Sequence, residues 1–151
     1  SPWWSAHRSP PERHTMEMRV SFPGGKKVDA HFGEFTIQTD QGKAGGGEAS
    51  APEPFDTFLA SLATCAGIYV LGFCQARELP TEGISLLQNI ARDPETRRLT
   101  KVSIDIQVPA SFPEQYHTAL QRVANKCAVK RTLLEPPEFE IATVVVQGQG
   151  T

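Results

Sequence analysis

Charge is what the middle of this sequence lacks. From Thr57 to Ala76 twenty consecutive residues carry none, and Asp56 and Arg77 close the run. Cysteine is scarce too. Cys65, Cys74 and Cys127 are too few and too widely spaced for a disulfide scaffold. No C-x-x-C pair occurs, which removes zinc-knuckle and thioredoxin-type motifs, and four scattered histidines give no metal-ligand spacing. Fifteen basic against 17 acidic residues leave a net charge of −2, so nothing calls for nucleic acid or an anionic membrane surface. There is no internal repeat. The opening "SPWWSAHRSPPERHT" has no apolar core of a signal peptide. With Met16 or Met18 as a natural start, residues 1–15 are expected to be a disordered extension or an added leader, not a docking arm led by Trp3 and Trp4. Residues 16–151 have the length of one domain.

What is present alternates between two periods. "MEMRVSF" sets Met16, Met18, Val20 and Phe22 on one face and Glu17, Arg19 and Ser21 on the other, the pattern of a half-buried strand. A "PGG" turn follows, and strands over 28–32 and 34–39 complete a meander. "QGKAGGGEASAPEP" is a loop. Beyond the uncharged run, "GISLLQNIARD" and "RLTKVSIDIQV" read as strands joined through "DPET", with Val102, Ile104, Ile106 and Val108 alternating with polar residues. "SFPEQYHTALQRVANKC" reads as one helix. Ser111 and Glu114 form a capping-box pattern, and Tyr116, Leu120, Val123 and Cys127 make an apolar stripe. "FEIATVVVQ" is expected to close the chain as a strand. His31 and His117 are expected on the surface or in a strand.

Twenty uncharged residues are long enough to span a bilayer. Ser61, Thr64, Gly67, Gly72 and Gln75 interrupt the run, no basic cluster marks a cytoplasmic side, and strand patterns flank it. It is therefore a core helix. A helix apolar on all sides needs cover on all sides, so part of it is expected to meet a second subunit. Cys65 and Cys74 are nine residues apart on that helix and point to opposite faces. The pairing that packing invites is Cys65 with Cys127. The alternative is that all three thiols are small core residues.

"EPFDTFLASLATC", followed later by "KCAVKRTLLEPPEFEI", resembles the OsmC/Ohr family of osmotically inducible and organic-hydroperoxide-resistance proteins. Both motifs fall in the family's order, as do the meander, long helix, hairpin, second helix and final strand. The resemblance implies an α+β, OsmC-like fold: antiparallel sheet packed on a long central apolar helix and a second helix, in an intertwined, cytoplasmic homodimer with sites at the subunit interface.

It also implies a chemistry. Cys65 would attack an organic hydroperoxide as a thiolate and Cys127 would resolve the sulfenic acid to a disulfide. No cofactor is bound; an external dithiol, in this family often lipoyl-linked, would reduce the disulfide. Partners would be the second subunit and a small apolar hydroperoxide, with no nucleic acid and no membrane. The alternative is a non-catalytic member binding an apolar small molecule at the interface. Among Leu62, Ala66 and Ile68, the Cys65 thiol is expected to titrate above the free value of ~8.5 unless a cation or donor intervenes. The family's peroxidases use an Arg after the first strand, held by a Glu before the Cys. Here Lys26 or Lys27 stands near that Arg position, with Arg19 as a further cation, and a lysine lacks the bidentate fork. The Glu position falls on Phe55, flanked by Asp56 and, two residues earlier than Phe55, Glu53. Asp56 also reads as a helix first-turn charge and Glu53 as a loop cap. Lys126, Lys130 and Arg131 flank Cys127 and could supply the activation instead, but they also read as cations at a solvated helix end; Cys74 reads as core.

Overall fold

The computed structural model describes residues 16–148. The expected N-terminal extension, with Trp3 and Trp4, lies outside them. The chain divides into two compact units, one up to Leu59 and one from Ala60 on.

In the first unit, β1 (Arg19–Gly24), β2 (Lys27–Phe32) and β3 (Phe35–Thr39) form an antiparallel meander in sequence order. Gly25 and Gly33, at φ +59° and +55°, sit in its two tight turns, where a left-handed backbone suits glycine. Pro23 has no N–H to give the ladder, and the β1–β2 register shifts between Ser21 and Gly24. His31 bridges the strands by hydrogen-bond contacts to Ser21 at 2.8 Å and Thr36 at 3.1 Å. One expectation fails. Met16 and Met18 precede β1, and the Met16, Met18, Val20 and Phe22 side chains are exposed. Alternation marks a face suited to burial, and burial depends on a surface to meet it.

After β3 the chain wraps around one carboxylate. Asp40 is 1% exposed and accepts hydrogen bonds from the backbone N–H groups of Gln41, Glu48 and Ser50 and from the Ser50 hydroxyl. Those donors, the Ser50 hydroxyl foremost, hold its pKa down to about 2. Gly47 is required here: a Cβ would lie 2.1 Å from the Gln41 carbonyl oxygen.

Helix α1 (Pro54–Ala76) contains the uncharged run. Pro54 occupies the first helical position, where its missing N–H costs nothing. Asp56 accepts the Glu53 N–H at 3.4 Å, so it sits in the first turn with Glu53 at the cap. The helix ends where Glu78 turns left-handed and the Leu79 N–H reaches the Cys74 carbonyl. By length and composition α1 could cross a membrane. One stripe of it, Leu62, Ala66, Val70, Phe73 and Cys74, is buried within the protein.

In the second unit that stripe meets a hairpin and two short helices. Strands β4 (Ser85–Arg92) and β5 (Leu99–Gln107) pair antiparallel, and the Asp93 carboxylate accepts the N–H groups of Glu95 and Thr96 in the connecting turn. The core comprises Val70, Phe73, Cys74, Phe112 and Leu120, flanked by Leu86 and Ile106 of the hairpin. The fold is thus α+β with antiparallel sheet, as expected, but with two small sheets.

Two further expectations are corrected. The helix read over 111–127 is a 3-10 turn at Glu114–Tyr116, α2 (His117–Ala124), a break, and then α3 (Ala128–Leu134). Its capping box does not form. Phe112 precedes Pro113, which disfavours the helical conformation a first-turn residue needs, and Pro113 itself is extended. The strand expected over 139–147 is also not formed. That segment pairs with no strand among the described residues, and Phe139, Ile141 and Val145 are exposed, Val145 at 96%. A strand is defined by its neighbour, which local sequence cannot supply.

Candidate functional site

Cys65 sits beside Ala66 on α1, one residue off the buried stripe, and is therefore half-buried. Cys127 reaches it because the second helical segment breaks. α2 ends at Ala124, Asn125 and Lys126 turn, and Cys127 adopts an extended conformation (φ −47°, ψ 127°) before α3 begins. The break leaves Cys127 as the cap residue of α3, 2% exposed, with its sulfur turned inward rather than capping.

The Cys65 sulfur is surrounded by donors. The backbone N–H groups of Val129 and Ala128 and the Cys127 thiol lie near enough to favour its charged form. The first N–H groups of a helix have no partner within the helix, so those of α3 are available. α3 has only seven residues, so these are local contacts rather than a macrodipole effect. Together they pull the Cys65 pKa below the ordinary thiol value. The Val129 N–H contributes most, burial opposes it, and the Cys127 S–H, the Ala128 N–H and the Arg131 charge add to the lowering. The apolar surround alone would raise this thiol, as desolvation does, and the donors outweigh it.

The other thiols move the opposite way. Burial pushes Cys127 up, and a neighbouring Cys65 thiolate that accepts its proton adds to this. Cys127 Sγ is also 4.0 Å from the Leu62 carbonyl oxygen, a long contact from a weak donor. A charged acceptor makes the stronger bond, so an ionised Cys65 takes that proton. Cys74 is fully buried in the core and raised by that burial. It has the environment of a structural cysteine.

The cations and acids proposed for activation belong to the first unit, where each has local contacts. Arg19 pairs with Glu17 at 3.0 Å on the surface. Lys27 pairs with Glu48 at 3.1 Å, a bond that raises the lysine pKa. Lys26 lies in the β1–β2 turn with its chain over Gly46. Glu53 and Asp56 form the start of α1. Of the three basic residues flanking Cys127, Lys130 donates to the Asn125 side chain, while Arg131 lowers Cys65. Val129 and Ala128 were not singled out by sequence reasoning as activators, whereas Arg131 was among the basic residues weighed beside Cys127. The available signal was the nearness of Arg131 to Cys127; Ala128 and Val129 act through main-chain groups that no side chain reveals.

A cavity of about 810 Å³ opens within the second unit along β5. Leu62, Ile104 and Leu120 give it apolar walls, Gln121 and Leu133 lie on its outer part, and Cys127 lines it. Cys65 is not among its lining residues.

Sequence and fold comparisons agree with this architecture. The OsmC-like protein family matches residues 45–142, well over half of the chain. The chain belongs to the OsmC-like family. No curated protein matches it in sequence. Among solved structures, it resembles a Psychrobacter arcticus 273-4 protein assigned to osmotic stress induction and the detoxification response, with TM-score 0.66, 20% identity, and 76% of this chain and 85% of that one covered. An OsmC-like protein of Mycoplasma pneumoniae gives TM-score 0.64 at 16% identity, covering 81% and 89%. An organic hydroperoxide resistance protein OsmC of Legionella pneumophila gives 0.52 at 18%, covering 80% and 89%. At these identities the likeness is one of fold.

Proposed function

We propose that this OsmC-like protein is a thiol-dependent peroxidase of organic hydroperoxides. One observation supports the reading: a half-buried thiol has its pKa lowered by the Val129 N–H and by a second, buried thiol beside it. The Cys65 thiolate attacks the outer oxygen of ROOH, the O–O bond breaks, and ROH leaves with a proton. Cys65 is then a sulfenic acid. Cys127, already in contact, attacks that sulfur, expelling water and closing a disulfide. An external dithiol, of the lipoyl type or similar, supplies two electrons and two protons to restore both thiols. Apolar walls nearby favour an organic over an inorganic peroxide. A reducing compartment such as the cytoplasm suits a resting dithiol.

The same reading includes a homodimer. Ile68 on α1 is 58% exposed and the apolar residues from Phe139 to Val146 lie open, which is more apolar surface than a lone subunit favours. A folded monomer in sedimentation at low micromolar concentration would remove the dimer.

The peroxidase is tested by adding cumene hydroperoxide to the reduced protein. One equivalent is consumed, peptide mapping finds Cys65 linked to Cys127 with Cys74 free, and dihydrolipoamide supports turnover. A Cys127→Ser variant consumes one equivalent and then stalls or over-oxidises to sulfinic acid. If peroxide is not consumed and Cys65 alkylates only above the free-thiol pKa, the chain is instead a binder of apolar small molecules.

A further inference from the structure

The geometry points to a route for the reductant separate from that of the peroxide: the reducing dithiol enters the cavity along β5 and attacks the disulfide at Cys127, not at Cys65. This rests on the peroxidase reading and says which sulfur is attacked and from which side. Cys127 lines the 810 Å³ cavity; Cys65, although the more exposed of the two residues, does not. A thiolate must approach a disulfide in line with the S–S bond, from behind the sulfur it attacks. Cys127 borders the cavity and Cys65 does not, so this space serves attack on Cys127.

The leaving group agrees. In thiol–disulfide exchange the sulfur with the lower thiol pKa leaves faster. Attack at Cys127 expels Cys65, the sulfur that faces the Val129 and Ala128 N–H groups. Attack at Cys65 would expel Cys127, which burial disfavours as a thiolate. In the first step one thiolate of the dithiol bonds to Cys127 Sγ, the Cys65–Cys127 bond breaks, and Cys65 departs as a thiolate. In the second step the other thiol of the reductant closes onto its own bound sulfur. The reductant becomes a cyclic disulfide, and Cys127 leaves and takes up a proton. The protein gains two electrons and the dithiol loses two.

The test uses the wild-type protein oxidised by one equivalent of cumene hydroperoxide. Brief exposure to benzyl mercaptan, a monothiol that cannot close a ring, is quenched with acidic N-ethylmaleimide and mapped. The expected product carries the benzyl thiol on Cys127 and the maleimide on Cys65. The reverse distribution overturns the inference and leaves the peroxidase reading standing. If no Cys65–Cys127 disulfide forms, the peroxidase reading fails and this inference fails with it. As a second measurement, Gln121→Trp, at an exposed α2 position lining the cavity, is expected to slow reduction of the preformed disulfide by dithiothreitol at least tenfold. An unchanged rate counts against the route.

Discussion

The molecule holds two anion cradles built from the same material. Around Asp40, three backbone N–H groups and a hydroxyl converge on a carboxylate. Around Cys65, two backbone N–H groups and a thiol converge on a sulfur. Both lower the pKa of the group they hold. Their uses differ because their access and chemistry differ. Asp40 is buried and has no chemistry to offer at neutral pH, so its cradle ties a glycine-rich loop into one conformation. Cys65 is half-buried and has a second thiol beside it, so its cradle suits the nucleophile of the proposed peroxidase. Donor convergence alone does not mark a reactive site; the nature and exposure of the acceptor decide.

Removing the acceptor breaks the comparison most completely. Cys65→Ser is expected to reduce peroxide consumption to the level of buffer, because a neutral alcohol is no substitute for a thiolate toward an O–O bond. The corresponding change in the other cradle, Asp40→Asn, is expected to lower the melting temperature and leave peroxide chemistry in place. Equal losses of activity in the two variants would erase the distinction between a structural and a reactive cradle.

The next effect comes from removing a donor while keeping the thiol. Val129→Pro deletes the N–H that contributes most to Cys65, in the first turn of α3, where the lost N–H has no partner within the helix. A hydrogen bond to a charged group is worth ~1.5–3 kcal/mol, so alkylation of Cys65 at neutral pH should slow roughly tenfold or more. The sign follows from the lowered pKa. The native thiolate persists to a lower pH than a free thiol's, and the variant's rate profile moves to higher pH. An unmoved profile would show that the first turn of α3 does not activate the thiol.

A smaller effect tests the Asp40 cradle. Gly47→Ala forces a Cβ against the Gln41 carbonyl and is expected to cost about 1–3 kcal/mol in denaturant unfolding. The pH dependence of Asp40 has a definite sign. Its pKa is depressed from 3.8 to about 2, so the stability it adds is complete above the unfolded value and is lost as pH falls through about 2. Acid unfolding monitored between those values should therefore be shallower in Asp40→Asn than in the native chain.

Legibility in the sequence followed the range of the signal. The uncharged run marked α1, and alternation at Val102, Ile104 and Ile106 marked β5, because each pattern is written in consecutive residues. The turn at Asp93 was equally local. Burial of Met18, Val20 and Phe22, and pairing of the segment from Phe139, depend on surfaces that adjacent residues do not encode. Between these cases stands the break after Ala124. The spacing of Tyr116, Leu120, Val123 and Cys127 suggests one helical stripe, but the helix stops at Ala124 and Cys127 lies beyond it. The donors beside Cys65 were hidden for a different reason. Every residue but proline carries an N–H, so Ala128 and Val129 bear no mark of being donors to a sulfur. Side-chain cations are what a sequence displays, and Arg19 and Lys27 have carboxylate partners of their own.

The smallest expected effect separates main-chain from side-chain activation. Arg131 adds only the last of the contributions that lower Cys65, and it acts through charge at a distance rather than by contact. Its own backbone N–H bonds the Cys127 carbonyl at 3.0 Å, a bond that substitution of the side chain leaves in place. Arg131→Met should therefore keep α3 and the Cys127 geometry, and move the Cys65 alkylation profile to higher pH by less than Val129→Pro does. Salt supplies an independent check. Coulombic help from an exposed guanidinium is screened at high ionic strength, whereas a direct N–H contact is screened far less. Raising salt should bring the native profile toward that of Arg131→Met and leave the native and Val129→Pro profiles well apart. If Arg131→Met produced the larger shift, and salt abolished it, the thiol would be governed by a cation after all, and the cradle around Cys65 would differ from that around Asp40 in kind as well as in use.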